Sequence, residues 1–120
     1  MTLKIYIDGA EGTTGLQLKQ RLLSHSETQI LDIDYTKRKN LKYKLDNCSK
    51  ADLIFLCLPD QDAKLMVAEI EKNFGSTKVI IDASTAHRVS EGWVYGFPEL
   101  QRTQRMQIKQ SNRISNPGCY

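Results

Sequence analysis

Leu3-Lys4-Ile5-Tyr6-Ile7-Asp8-Gly9-Ala10-Glu11-Gly12-Thr13-Thr14-Gly15-Leu16 is the stretch on which the fold turns. Residues 3–7 alternate with a period of two and are β-branched at Ile5 and Ile7, which predicts a strand. From Thr14 the period changes: Leu16, Leu18, Leu22 and Leu23 spread over one broad helical face, with Gln17, Lys19, Gln20 and Arg21 filling the other. Between strand and helix, the glycines fall at three-residue intervals. In that setting one glycine permits a tight turn, a second lets backbone approach a pyrophosphate, and a third allows close packing of helix on strand, with phosphate held at the helix N-terminus. The spacing is GxxGxxG, whereas the usual dinucleotide fingerprint is GxGxxG, so position carries more weight than pattern. A purely structural turn that needs positive φ is the competing reading. Three glycines, two threonines and the flanking elements favour a nucleotide site built from Gly9, Gly12, Thr13, Thr14 and Gly15.

Outward from the turn, the order of elements repeats. Residues 29–34 are a second expected strand, and residues 52–58 a third whose continuous apolar run suits burial on both faces. Pro59-Asp60 closes it, and Ala63, Met66, Val67, Ile70 and Phe74 then fall at helical spacing up to a stop at Gly75. Residues 78–82 read as a fourth strand, residues 83–98 as an irregular stretch long enough to be functional, residues 101–110 as a short helix and residues 113–115 as a fifth strand. With right-handed crossovers this alternation specifies an α/β fold: a doubly wound, Rossmann-like, mostly parallel sheet with helices on both faces. All 120 residues fit one domain.

Hydrophobic residues make up 40% and charged residues 26% of the chain, an ordinary globular balance that excludes disorder as the main state. The longest apolar runs fall far short of the ~20 residues of a spanning helix, and the N-terminus lacks the regions of a secretory signal. A cytoplasmic protein with no membrane association is expected. Cys48, Cys57 and Cys119 show no CxxC spacing, which argues against a disulfide framework or a metal site and for a reducing compartment. The net charge of +3 comes mostly from two stretches, 37–44 and 102–113, with Asp46 and Glu99 close by and glutamines interspersed in the second. So mild an excess does not suit a nucleic-acid partner; it suits one small anionic ligand.

Asp32 and Asp34, near the end of the second expected strand, are followed by Tyr35-Thr36-Lys37-Arg38-Lys39. NAD-preferring domains commonly use an acid here to bind ribose hydroxyls, whereas a 2′-phosphate is better met by cations. Lys37, Arg38 and Lys39 therefore favour NADP, all three being candidates, against the competing reading of a solvated charge run. Ser84 follows the fourth strand at the carboxyl edge where ligands bind in such sheets, and is a further candidate for cofactor contact.

Three more segments, Asp82-Ala83-Ser84-Thr85-Ala86-His87-Arg88, Tyr95-Gly96-Phe97-Pro98-Glu99 and Asn116-Pro117-Gly118-Cys119-Tyr120, follow the glycine turn in order. Together the four resemble the shorter type of N-acetyl-gamma-glutamyl-phosphate reductase, a relative of aspartate-semialdehyde dehydrogenase, over the whole chain. The resemblance implies reduction of the acyl phosphate N-acetyl-glutamyl 5-phosphate by NADPH, through a cysteine thioester, to the semialdehyde and phosphate in arginine biosynthesis. Cys119 is then the nucleophile, and Arg88 and Asn116 are substrate-binding residues. The chemistry agrees: Arg88 carries a planar fork that suits phosphate oxygens, with a salt bridge to Asp82 or Glu99 as its competing reading. Cys119 follows an Asn-Pro-Gly turn where a helix would begin, and a helix N-terminus lowers a thiol pKa from its free value of about 8.5. Its competing reading is a small buried hydrophobe, which is the preferred reading of Cys57; Cys48 has no supporting motif. His25 reads as a helix-end or surface residue, and His87 as a loop residue not assigned the role of base.

The resemblance also implies that residues 1–120 are an NADP-binding domain ending at the catalytic cysteine. The substrate domain, the acid–base residue and the contacts of a homo-oligomer would lie beyond it, so the isolated chain is expected to be inactive. Two other functions compete. One is a non-catalytic NADP-binding module; the other is an aspartate-semialdehyde dehydrogenase-like enzyme, against which the Asn-Pro-Gly-Cys run argues.

Overall fold

The computed structural model describes residues 2–10, 12–84, 92–96 and 111–115. In chain order they form β1 (Leu3–Asp8), α1 (Thr13–Leu23), β2 (Thr28–Ile30), a 3-10 turn (Tyr35–Lys37), α2 (Leu41–Lys50), β3 (Leu53–Leu56), α3 (Asp60–Phe74), β4 (Val79–Asp82), β5 (Val94–Tyr95) and β6 (Arg113–Ser115). The strands make one sheet of six in the order β2-β1-β3-β4-β6-β5, and every pairing is parallel. The chain moves outward from β1 to β2, then crosses back to β3 on the other side. With right-handed connections that reversal puts α1 on the face opposite α2 and α3, and opens a crevice beyond the carboxyl ends of β1 and β3.

Register aligns Tyr6 with Ile54 and Ile54 with Ile80 across three strands. Side chains in parallel register share a face, and these three, with Leu56, meet Cys48 and Ala51 beside α2 and Met66, Val67 and Ile70 of α3 in one buried cluster. The α3 spacing read from the sequence is the spacing observed, since Ala63, Met66, Val67 and Ile70 are its buried residues. Helix α3 ends at Gly75, whose φ of +65° favours glycine. Helix α1 differs from expectation: Gly15 is its buried residue, and Leu16 and Leu23 are 49% and 64% exposed.

Other differences have local causes. Helix α2 lies where the sequence reading saw only a basic stretch; the Asn40 side chain caps it by accepting from the Lys42 backbone N–H at 3.0 Å. The second strand stops at Ile30, short of residue 34, because the Asp34 carboxylate accepts from the Thr36 N–H at 3.0 Å and the Thr36 hydroxyl at 2.9 Å and curls the chain into the 3-10 turn. Strand β5 falls inside the stretch read as irregular, as two residues paired with Ile114 and Ser115. The helix expected over 101–110 lies outside the described residues.

Candidate functional site

The three glycines of the turn have three different surroundings. Gly9 has φ of +85°, and a Cβ on it would stand 2.2 Å from the Cys57 carbonyl oxygen at the end of β3. Gly15 is buried in the first turn of α1, where a Cβ would come within 2.2 Å of the Gly9 carbonyl oxygen and 2.7 Å of the Ala10 Cα. Turn, helix and neighbouring strand are thus in backbone contact, which only glycine allows. Gly12 is different: it is exposed, its backbone is extended at φ −78°, and among the described residues a Cβ there would meet only the Gly9 oxygen, at an ordinary 3.5 Å. Folding does not require a glycine at 12.

Gly12 is also the N-cap of α1. Among the described residues no side chain caps that end, no acid sits in the first turn, and the first helical hydrogen bond runs from the Leu16 N–H to the Gly12 carbonyl at 2.8 Å. The N–H groups of Thr13, Thr14 and Gly15 therefore have no acceptor within the helix, and with the helix dipole they form an anion-binding end. Thr13 and Thr14 are exposed beside it.

Gly9 and Gly12 border a cleft of about 790 Å³. Leu41, Leu58, Pro59, Leu65 and Met66 give it an apolar wall, Arg38, Lys39 and Lys44 a basic one, and Asp62 and Glu69 lie on α3. Its floor includes Asp8 and Cys57. The Asp8 carboxylate, 4% exposed, pairs with Lys44 Nζ of α2 at 3.2 Å. Burial, then the charges of Asp8 and Asp82, push the Cys57 thiol up to about 11. Cys48, in the core behind the cleft, is pushed to about 12 by burial and then by Asp8. Neither thiol is a nucleophile at neutral pH.

The three cations are separated by the structure. Lys37 Nζ lies 4.6 Å from the Tyr43 ring centre, away from the cleft lining. Arg38 stacks on the Tyr35 ring at 3.7 Å, with an Nη1 hydrogen bond to the Tyr35 carbonyl at 2.8 Å. Arg38 and Lys39 face the cleft. The nearby acids are engaged: Asp32 pairs with Lys19 at 2.9 Å, and the Thr36 backbone and hydroxyl, then the Lys37 charge, hold Asp34 below the usual carboxylate range.

Ser84 is buried; its hydroxyl donates to Asp82 Oδ2 and its N–H to Asp82 Oδ1, both at 2.9 Å. It fixes the chain leaving β4 and does not line the cleft. Cys119, Arg88, Asn116 and His87 lie outside the described residues, and His25 is exposed just past the end of α1. Sequence reading missed Lys44, Leu41 and Leu65. The first two had a signal, because Leu41, Lys44, Leu45 and Cys48 follow one helical stripe after the Asn40 cap.

A parallel sheet that reverses direction at β1, with a glycine turn and an uncapped helix end at the reversal, defines a dinucleotide-binding α/β domain. The family described as "Semialdehyde dehydrogenase, NAD binding domain" matches residues 33–109, and the chain belongs to that family. Curated relatives similar over essentially the whole chain are named N-acetyl-gamma-glutamyl-phosphate reductase. One from Chelativorans sp. (strain BNC1) is 46% identical over 120 residues, 100% of this chain and 38% of the relative. N-acetyl-gamma-glutamyl-phosphate reductase 2 of Pseudomonas putida is 45% identical over 116 residues, 97% of this chain and 36% of the relative. The chain thus spans less than two fifths of these proteins. Among solved structures, aspartate semialdehyde dehydrogenase from Francisella tularensis superposes with a TM-score of 0.68 at 16% identity, over 96% of this chain and 36% of that one. Aspartate semialdehyde dehydrogenase II from Vibrio cholerae gives 0.65 at 18% identity, over 98% and 42%. These two share the fold. No described helix is long and apolar enough to cross a membrane.

Proposed function

We propose that the chain is the cofactor-binding part of an NADPH-dependent N-acetyl-gamma-glutamyl-phosphate reductase acting in arginine biosynthesis. The observation that carries the cofactor reading is the contrast within the turn: Gly9 and Gly15 are forced by backbone contact, while Gly12 is open beside an uncapped helix end and a basic cleft wall. That arrangement fits a dinucleotide. Gly12, Thr13 and Thr14 would hold its pyrophosphate through backbone N–H groups, Leu41, Leu58 and Leu65 would face its adenine, and Arg38 and Lys39 would meet its 2′-phosphate. The relatives at 43–46% identity supply the substrate.

In this reading NADPH, when bound, supplies hydride. The Cys119 thiolate attacks the acyl phosphate; the sulfur–carbon bond forms, the bond from that carbon to the phosphate oxygen breaks, and inorganic phosphate leaves, with Arg88 and Asn116 as substrate anchors. The thioester carbon accepts hydride, and the resulting hemithioacetal expels the thiolate to give the aldehyde. Ser84, tied to Asp82, positions the segment leaving β4 at the carboxyl edge of the sheet. The full-length enzyme is proposed to be cytoplasmic and homo-oligomeric. The test uses the polypeptide at the full length of its relatives: NADPH oxidation dependent on N-acetyl-glutamyl 5-phosphate is expected, and is lost in Cys119→Ser with cofactor binding retained. Turnover on aspartyl phosphate alone would reassign the substrate, and a serine variant with substantial activity would overturn the thioester.

A further inference from the structure

Tyr35 is 65% exposed, an aromatic ring that the core does not use. The Arg38 guanidinium lies over it, 3.7 Å from the ring centre. The stack follows from the local backbone. The Asp34 carboxylate, accepting from the Thr36 N–H and hydroxyl, starts the 3-10 turn Tyr35–Lys37, and the Arg38 N–H closes it on the Tyr35 carbonyl at 3.4 Å. Such a turn has three residues per repeat, so side chains three apart eclipse and Arg38 falls over Tyr35; an α-helical turn would offset them by about 60°. Arg38 Nη1 donates to the same carbonyl at 2.8 Å, so the guanidinium is held by one face on the ring and by one edge on the backbone. Arg38 borders both the main cleft and a smaller cavity of about 260 Å³, and of these two Tyr35 borders the smaller. The ring therefore stands behind the arginine as seen from the cleft.

We propose that Tyr35 is a positioning residue that sets the preference for NADPH over NADH: its ring holds the plane of the Arg38 guanidinium toward the site of the 2′-phosphate. This rests on the reading of the cleft as an NADPH site. A guanidinium stacked by its face keeps its N–H donors in the plane, where phosphate oxygens are met in pairs. A side chain already held in place also gives up less rotamer freedom when the ligand arrives, and the gain falls on the cofactor that carries the extra phosphate. Tyr35 acts through Arg38 and does not touch the cofactor, so its effect vanishes when Arg38 is absent. That dependence, and the indifference of NADH, are what separate it from a ligand contact.

The experiment is calorimetry with NADPH and NADH on the intact chain and its Tyr35→Leu, Tyr35→Phe, Arg38→Ala and doubly substituted Tyr35→Leu/Arg38→Ala forms. Tyr35→Leu is expected to weaken NADPH about threefold to tenfold while NADH stays within about twofold. Tyr35→Phe, which keeps the ring and loses the hydroxyl, retains the preference of the unaltered chain. In the Arg38→Ala background Tyr35→Leu costs less than about twofold. An unchanged preference in Tyr35→Leu would overturn the inference, by showing that the other contacts of Arg38 suffice to hold it. Equal losses for the two cofactors, the full loss in Tyr35→Phe, or additive losses in the double variant would overturn it as well, by making Tyr35 a contact of the ligand in its own right. Should Tyr35→Leu fail to fold in a urea melt, Tyr35→Ser is read by the same criteria. Failure of the unaltered chain to bind NADPH, or to prefer it over NADH, would instead remove the reading of the cleft on which the inference rests.

Discussion

Gly15 and Gly9 are in backbone contact across the turn, so that a single added carbon on Gly15 would stand 2.2 Å from the Gly9 carbonyl oxygen. Gly12, between them, could take an added carbon in ordinary contact, 3.5 Å from the same oxygen. The same residue type thus serves folding at two positions and ligand access at the third, and the two roles separate experimentally. Gly15→Ala is expected to destabilise the chain by about 3 kcal/mol, the upper range for overpacking, as read by urea melts. Gly12→Ser should do the reverse to stability: its hydroxyl can cap the free end of α1, adding several tenths of a kcal/mol, while covering the N–H groups that phosphate would use and lowering NADPH affinity about tenfold or more. A serine variant both more stable and equally good at binding would return Gly12 to a structural role.

The cation segment gives a second prediction, because only part of it faces the cleft. Arg38→Ala and Lys39→Ala should each weaken NADPH by about tenfold to hundredfold, the value of a charge-assisted hydrogen bond, with NADH within about twofold. Lys37→Ala should leave both cofactors unaffected, since Lys37 rests over Tyr43. Calorimetry with the two cofactors checks the ranking, and equal affinities of the unaltered chain for NADPH and NADH would defeat the 2′-phosphate assignment.

The two thiols give a third, with a defined sign. Burial raises Cys57 from 9.0 to about 11 and Cys48 from 9.0 to about 12, so the unfolded chain loses these protons first. Their contribution to stability is complete below pH 9 and drains away as pH climbs through 11 to 12. Urea melts across the alkaline range should show the loss, and Cys57→Ser should make it shallower. Iodoacetamide at pH 8 should label both thiols slowly in the folded protein, and Cys119 fastest. Faster labelling of Cys57 than of Cys119 would contradict the choice of nucleophile.

The strands and the glycine turn were legible because each announces itself locally: an apolar run such as Ile54 to Leu58 has no fate but a sheet interior, and a glycine between strand and helix marks a turn. What escaped depends on partners distant in sequence. Strand β5 is two residues long and exists through its pairing with Ile114 and Ser115, which nothing near Val94 encodes. Helix α2 was obscured by its lysines, although one of them, Lys44, is held indoors by Asp8. The engagement of Ser84 with Asp82 is a local side-chain choice that its place at the sheet edge does not reveal. The boundary of β2 moved for the same reason, through the hydroxyl and N–H of Thr36 on Asp34.

The sheet's outer edge sets an order of events during synthesis. Strands β1 to β4 can pair with each other as soon as they leave the ribosome, but β5, though made earlier than β6, has no place to dock until β6 has bonded to β4. A nascent chain must therefore carry residues 94–95 unpaired while the next stretch is translated, and the arrival of Arg113–Ser115 zips two strands at once. Cys119, the proposed nucleophile, lies four codons beyond Ser115, so it leaves the ribosome soon after the segment that seats β5.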